Sequence, residues 1–238
     1  MPEYPIFVKL SGLPVLIVGG GKVALRKARG LLDSGALVNV ISPEFDPGLD
    51  QLPDITRIRQ AYTSGWLSKT ENPRWRLVFA ATNDPEANAL AGADAAAAGI
   101  FFCRCDDAGQ GEFTGAATAR RGPITIAVST GGASPALAAE MANSLAAGIP
   151  QHRLDQAVLV EQWRPRILAF IGDPSRRQVC LKMLTSAELV SILQQGGLVA
   201  GERWLSTRIN PVAAPERLDA TPSPQAKAEH YSIQEIDD

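Results

Sequence analysis

The sequence predicts an α/β fold: a doubly wound parallel sheet followed by a region made only of helices. Three observations carry that expectation. An apolar run ends in three consecutive glycines and passes at once into helical periodicity. Strand-like and helix-like segments then alternate as far as Cys105. Past Pro150 only helical patterns remain, with short breaks. Composition agrees: 238 residues, 45% hydrophobic and 20% charged with a net charge of −2, exclude a collagen-like, coiled-coil or wholly disordered chain. The length suits one or two compact domains.

Residues 15–18 form the first strand, ending in Gly19-Gly20-Gly21. Val23, Ala24, Lys27, Ala28, Leu31 and Leu32 then recur at helical spacing, and Gly35 closes that helix in the left-handed conformation glycine tolerates best. Residues 36–41 read as a second buried strand, giving a βαβ unit whose strands are parallel by the right-handed crossover rule. Residues 55–58 and 77–81 are further strands. Thr82-Asn83-Asp84-Pro85 then starts an alanine-rich helix over 85–98, with a capping side chain and a proline in its first turn. Gly99 ends it and residues 100–105 are the next strand, which makes the sheet Rossmann-type with helices on both faces. A polar loop over 106–111 follows, then a strand over 124–128. Ser134 and Pro135 open a helix with Leu137, Met141 and Leu145 on one face. Helices are expected over 153–171, 175–184 and 186–195. From Pro211 the composition of proline, alanine, serine and charge predicts a disordered tail.

The charge balance, 23 basic against 25 acidic residues, gives no bulk electrostatic case for nucleic acid or an anionic membrane as partner. Three cysteines do not build a disulfide framework and suit a reducing, cytoplasmic setting. The first residues lack a basic segment backed by an apolar one, and no apolar run reaches the roughly 18 residues of a membrane span.

Gly19-x-Gly21-x-x-Ala24 sits where a dinucleotide-binding turn belongs. The first glycine permits the tight turn, the second lets backbone approach a pyrophosphate, and a small third residue lets helix pack on strand. The alternative is a glycine-rich turn that serves packing alone. The acid expected at the end of the second strand is missing: Ile41-Ser42-Pro43 stands there, with Glu44 just beyond. Ser42 or Glu44 either holds the ribose hydroxyls or belongs to an ordinary turn. No tyrosine has a lysine four residues on, and the two histidines, His152 and His230, fall in the helical region and the tail. Cys103 and Cys105 share a strand face and read as buried thiols, not as metal ligands, so no metal site is expected. The chemistry falls to a carboxylate, and Asp106 stands at the carboxyl end of a strand, the edge where open α/β sheets bind ligands. The alternative is that Asp106 or Asp107 caps a turn.

Pro5-Ile6-Phe7 with Leu10, residues 15–21, Val23-Ala24, Arg26-Lys27-Ala28, Leu32, Gly35-Ala36, Ser42-Pro43, residues 78–84 and residues 126–135 resemble, in that order, the precorrin-2 dehydrogenase / sirohydrochlorin ferrochelatase family, the N-terminal module of sirohaem synthases. The resemblance covers about residues 5–145 and, more loosely, the chain to about 205. It implies NAD-dependent oxidation of precorrin-2 to sirohydrochlorin in sirohaem biosynthesis, with insertion of Fe²⁺ as a further activity of some members. It implies Asp106 as the catalytic aspartate, contacts to NAD from Lys22 and Val23 and from Pro43 and Glu44, and places Thr82 and Asn83 of the matching stretch at the cofactor. It also implies an intertwined homodimer and a division into an NAD-binding domain (1–113), a dimerisation segment (114–149), a helical domain (150–209) and the tail (210–238). A substrate with many carboxylates calls for cations and hydroxyls, for which Arg120, Arg121, Ser129, Thr130 and Ser134 are the candidates; a solvated basic turn and a helix cap are their alternatives. The Cys103-Arg104-Cys105 strand departs from the family pattern. Arg104 is expected to share a face with Asp106 and lower its pKa, and Asp107 to raise it. A non-catalytic module that binds NAD or a tetrapyrrole is the competing reading.

Overall fold

The protein is described by a computed structural model covering residues 3–69, 74–107 and 109–209. The tail expected over 210–238 lies outside the described residues. The chain forms two compact units, the first running to Gly115 and the second beginning at Ala116.

The first unit holds five strands: β1 (Pro14–Val18), β2 (Leu37–Ile41), β3 (Ile55–Ile58), β4 (Leu77–Ala80) and β5 (Phe101–Arg104). They are all parallel in the order β3-β2-β1-β4-β5. The doubly wound expectation is met. β1 and β4 lie centrally and are buried almost throughout, which is why their sequences are unbroken apolar runs and not alternating ones. Chain order reverses between them, and the crevice at such a switch point opens at the carboxyl ends of the strands.

Helix α1 (Lys22–Leu32) covers one face through Ala24, Ala28 and Leu31. These pack with Val15, Ile17, Val38, Val40, Phe79 and Cys103, and the short α2 (Pro47–Gln51) adds Leu49. Val23, which the periodicity puts on the apolar side, is exposed; the smaller Ala24 makes the sheet contact. Helix α3 (Pro85–Ala98) covers the other face with a single 3₁₀ turn at Trp66–Ser68. Its start follows the sequence expectation: Asp84 accepts hydrogen bonds from the Glu86 and Ala87 amides, Pro85 takes the first position, and Gly99 ends it at φ 65°.

The second unit begins with an antiparallel hairpin, β6 (Ala117–Arg121) and β7 (Ile124–Val128). Four helices follow: α4 (Pro135–Ala147), α5 (Gln151–Phe170), α6 (Pro174–Met183) and α7 (Ala187–Arg208). Strand β6 was not expected, because Ala-Thr-Ala-Arg-Arg carries no β-branched alternation to mark it. In α4 the face buried within the chain is the alanine face, Ala138, Ala142 and Ala146, two of which pack with Ala119 of the hairpin. Leu137, Met141 and Leu145 do share a face, but that face is exposed. Helix α7 extends well past the expected end at Gln195, and Gly197 (φ 64°, ψ −164°) breaks it. Leu159, Trp163 and Ile167 of α5 build the helical core with Leu184, Leu189, Leu193 and Leu205. No helix among the described residues is long and apolar enough to cross a membrane.

One polar clasp holds the connection after β3 against α3. The Tyr62 hydroxyl donates to Asp94 Oδ2 at 2.7 Å, and the Gly65 amide donates to the same oxygen at 2.7 Å. Burial, then the Asp94 carboxylate, push the Tyr62 phenol well above its usual range, so it remains the donor. Replacing Asp94 by alanine leaves the buried Tyr62 hydroxyl without its acceptor, and an unsatisfied buried donor costs about 1–3 kcal/mol. Asp94→Ala should therefore lower the unfolding free energy by roughly that amount in urea titration, while Asp94→Asn, which keeps an acceptor, should lose less.

Candidate active site

At the carboxyl edge of the first unit, three strand ends are drawn together by backbone alone. The Gly19 amide donates to Ile41 O at 2.9 Å, Ala81 N to Val18 O at 2.7 Å, and Asp46 N to Gly20 O at 2.7 Å. Gly19 sits at φ 117°, and a Cβ there would run into the Ala81 carbonyl. A Cβ on Gly20 would run into the Glu44 carbonyl and the Ser42 side chain. Gly21 is different: a Cβ there meets nothing within 4 Å. It is the N-cap of α1, with no side chain capping the helix and no acidic residue in the first turn. The first helical bond is Leu25 N to Gly21 O at 3.0 Å, so the amides of Lys22, Val23 and Ala24 have no partner further back in the helix. The result is an open, amide-lined cradle at the positive end of a helix dipole, which fits the pyrophosphate of a dinucleotide.

The other expected cofactor residues lie along the same edge. Pro43 and Glu44 are exposed in the turn after β2. Arg59 is also close by, its guanidinium 5.0 Å from the Phe45 ring; it comes from beyond β3, so nothing local in the sequence links it to that turn. After β4, Asn83 is exposed. Thr82 Oγ1 and Asn88 Oδ1 are 2.7 Å apart, and the Asn88 amide donates to Thr82 O at 3.1 Å. Asn88, fully buried in α3, is a residue that sequence reasoning missed. The signal was an asparagine within an otherwise apolar stripe of alanines.

Asp106 follows directly on β5 and is held bidentately by Arg104: Nε donates to Oδ1 at 2.9 Å and Nη2 to Oδ2 at 3.1 Å. The third guanidinium nitrogen donates to Gln110 Oε1 at 2.6 Å. The Arg104 guanidinium, with a smaller contribution from the Asn88 side chain, holds the Asp106 carboxyl below the usual carboxylate range. Asp107 does not raise it. Its carboxylate turns into the loop, accepting from Gly109 N and Gln110 Nε2 at 2.9 Å each, and its charge instead adds to the stabilisation of the Arg104 cation. Beside this pair a cavity of about 360 Å³ opens between α3 and β5, lined by Asn88, Gly92, Phe102, Arg104, Gln110 and Glu112.

Cys103 and Cys105 point to the opposite face, toward α1. A hydrogen bond from the Cys105 thiol and the charge of Lys27 bring Cys103 down to about 7, while Cys105 is raised. Among the described residues no group of three His, Cys, Asp or Glu side chains could hold a metal ion.

The remaining candidates belong to the second unit. Ser129 Oγ accepts from Gly131 N at 3.1 Å, Thr130 Oγ1 accepts from Ser134 N at 3.0 Å, and Ser134 Oγ caps α4 by accepting from Leu137 N at 3.2 Å. Each hydroxyl thus helps build the turn that opens α4. Arg121 donates to the Ala146 carbonyl at 3.2 Å and also to that of Ala147, at the C-terminal end of α4. Arg120, one residue earlier on the strand, takes the opposite face and is exposed.

Comparison with known proteins follows the same division. Residues 6–117 match a family described as putative NAD(P)-binding, and residues 121–146 match one described as sirohaem biosynthesis protein central. A siroheme synthase of Tolumonas auensis is 36% identical over 211 residues, 88% of this chain and 44% of that protein. Siroheme synthase 3 of Aeromonas hydrophila is 38% identical over 202 residues, 82% of this chain and 42% of that one. The chain thus spans under half the length of these relatives. A solved structure named SirC, precorrin-2 dehydrogenase, shares the fold at 21% identity, with a TM-score of 0.67 over 86% of this chain and 100% of that one.

Two outcomes test the site. Gly21→Ala adds a methyl group where the protein has open space, so it should leave the melting temperature unchanged while weakening dinucleotide binding about tenfold or more in calorimetry. Equal affinity in that variant would mean the turn serves packing alone. Arg104→Gln removes the cation that favours the ionised acid, so the Asp106 carboxyl should titrate at higher pH, toward the ordinary range, in carboxyl-carbon NMR.

Proposed function

We propose that this chain, whose residues 6–117 belong to the putative NAD(P)-binding family and whose residues 121–146 belong to the sirohaem biosynthesis central family, oxidises precorrin-2 to sirohydrochlorin with NAD⁺ as a step of sirohaem biosynthesis. One observation carries the reading: an open amide cradle and a lone acid–arginine pair stand on the carboxyl edge of one parallel sheet. The identity to siroheme synthases, the enzymes whose name states the product, points the same way.

Bound NAD⁺ supplies the hydride acceptor. The amides of Lys22, Val23 and Ala24 hold its pyrophosphate, and Glu44 takes the ribose hydroxyls, a role in which a carboxylate favours NAD over a 2′-phosphorylated cofactor. With the dinucleotide as hydride acceptor, the proton that precorrin-2 gives up would pass to Asp106, which its arginine partner keeps ionised and oriented. That same pairing makes Asp106 a weaker base. It also favours a second reading, in which Asp107, whose carboxylate accepts from a backbone amide and a side-chain amide and pairs with no arginine among the described residues, receives the proton. Arg120 and the hydroxyls of Ser129, Thr130 and Ser134 are assigned to the substrate carboxylates, with Arg121 bracing α4 behind them. The exposed stripe of Leu137, Met141 and Leu145 supports a homodimer through α4. Three free thiols suit the cytoplasm.

Anaerobic incubation with precorrin-2 should yield NADH from NAD⁺ and less product from NADP⁺. Asp106→Asn should lower kcat by about 10²- to 10⁴-fold with dinucleotide affinity kept. The same loss in Asp107→Asn alone transfers the role to Asp107. Dinucleotide binding without NADH formation would leave the chain a binding module and overturn the assignment.

A further inference from the structure

Within the second unit, a cavity of about 750 Å³ opens between the tip of the β6–β7 hairpin and the first turns of α5. Its walls are apolar: Pro123 and Ile124 on one side, Ala157 and Val160 on the other. Two guanidinium groups, of Arg120 and Arg153, line it, and neither forms an ion pair among the described residues. Glu161 is the one carboxylate in the lining.

Arg153 is not a loose surface arginine. Its Nη1 donates at 2.8 Å to Gln156 Oε1, and Gln156 is 8% exposed. The Gln156 amide nitrogen donates at 3.0 Å to the Leu184 carbonyl, a partner only the NH₂ end can serve, so the oxygen must face Arg153. A backbone carbonyl therefore fixes a buried amide, which fixes the guanidinium and leaves its other donors available. The charge is also where a helix least favours it. Arg153 is the third residue of α5, whose first turn carries no acidic residue and no side-chain cap. Cations are unfavourable near the positive end of a helix dipole and anions favourable. Two cations and apolar walls converge on one space of ligand size.

The geometry points to a binding site for the carboxylate of an amphipathic organic acid, with Arg153 and Arg120 clasping the anion and the Ile124 and Val160 walls taking its apolar body. The site extends the assignment of Arg120 but does not rest on the dehydrogenase reading. Loss of NADH formation in the Asp106 or Asp107 variants would leave it standing.

The test measures binding of two probes to the full chain: uroporphyrin, a macrocycle bearing several carboxylates, by fluorescence anisotropy, and decanoate, an acyclic acid, by calorimetry. At least one should bind with a Kd below millimolar, and which of them does identifies the source of the carboxylate. Arg153→Gln and Arg120→Gln should each weaken that probe about tenfold, the usual weight of a charge-assisted hydrogen bond. Gln156→Leu keeps both charges but frees Arg153 and should still weaken binding by about threefold or more; Arg153→Lys, which keeps the charge and loses the fork, repeats the test should the buried substitution unfold the unit. Arg164→Gln, on the same helix but outside the cavity, should change nothing. The site is overturned if neither probe binds, if Arg164→Gln weakens binding as much as the cavity variants do, or if the cavity variants alter only the mass in sedimentation, which would make a second copy of the chain the occupant.

Discussion

The arrangement at the carboxyl edge of the sheet depends on two peptide units coming closer to their neighbours than any side chain allows. Gly19 lies against the Ala81 carbonyl and Gly20 against that of Glu44, so the segments leaving β1, β2 and β4 are locked to one another through main chain. The lock sets the angle at which α1 departs and leaves its first amides facing open space. Everything assigned to the cofactor stands on one of those three segments. Within the glycine run the work is divided: the first two glycines are needed because space is absent, and the third because space is present.

Much of this was legible in the sequence, for reasons that particular residues make clear. Strands β1 and β4 are central, so their apolar runs are continuous and cannot be mistaken for surface. Asp84-Pro85 and Gly99 mark α3 because capping and a left-handed closure need those residue types. The pairing of Arg104 with Asp106 was legible too, since residues two apart on an extended strand share a face. What escaped depends on contacts remote in sequence. Gly20 is constrained by the turn after β2, Asn88 reaches back to Thr82 from inside a helix, and Asp107 turns away from the acid it was expected to repel. In α4 periodicity found the leucine stripe, but only packing showed that alanines face the hairpin.

The two units solve charge placement in opposite ways. In the first, Arg104 meets Asp106, Gln110 and the loop that follows, so its donors are largely matched within the chain. In the second, Arg121 closes the carbonyl end of α4, while Arg120 and Arg153 form no ion pair among the described residues. A near-neutral sum over the whole chain therefore conceals local imbalance, and composition alone could not disclose it.

The break at Gly197 reshapes the end of the second unit. Sixteen residues of unbroken helix would separate Glu188 from Trp204 by about 24 Å, yet the indole nitrogen of Trp204 donates to the Glu188 carboxylate at 3.1 Å and Arg208 reaches the same oxygen at 3.3 Å. The segment is thus a hairpin of two arms fastened where their free ends meet, and a left-handed glycine is its hinge pin. Leu189 on one arm and Leu205 on the other are buried in the same core cluster, so swinging either arm out would strip cover from both at once.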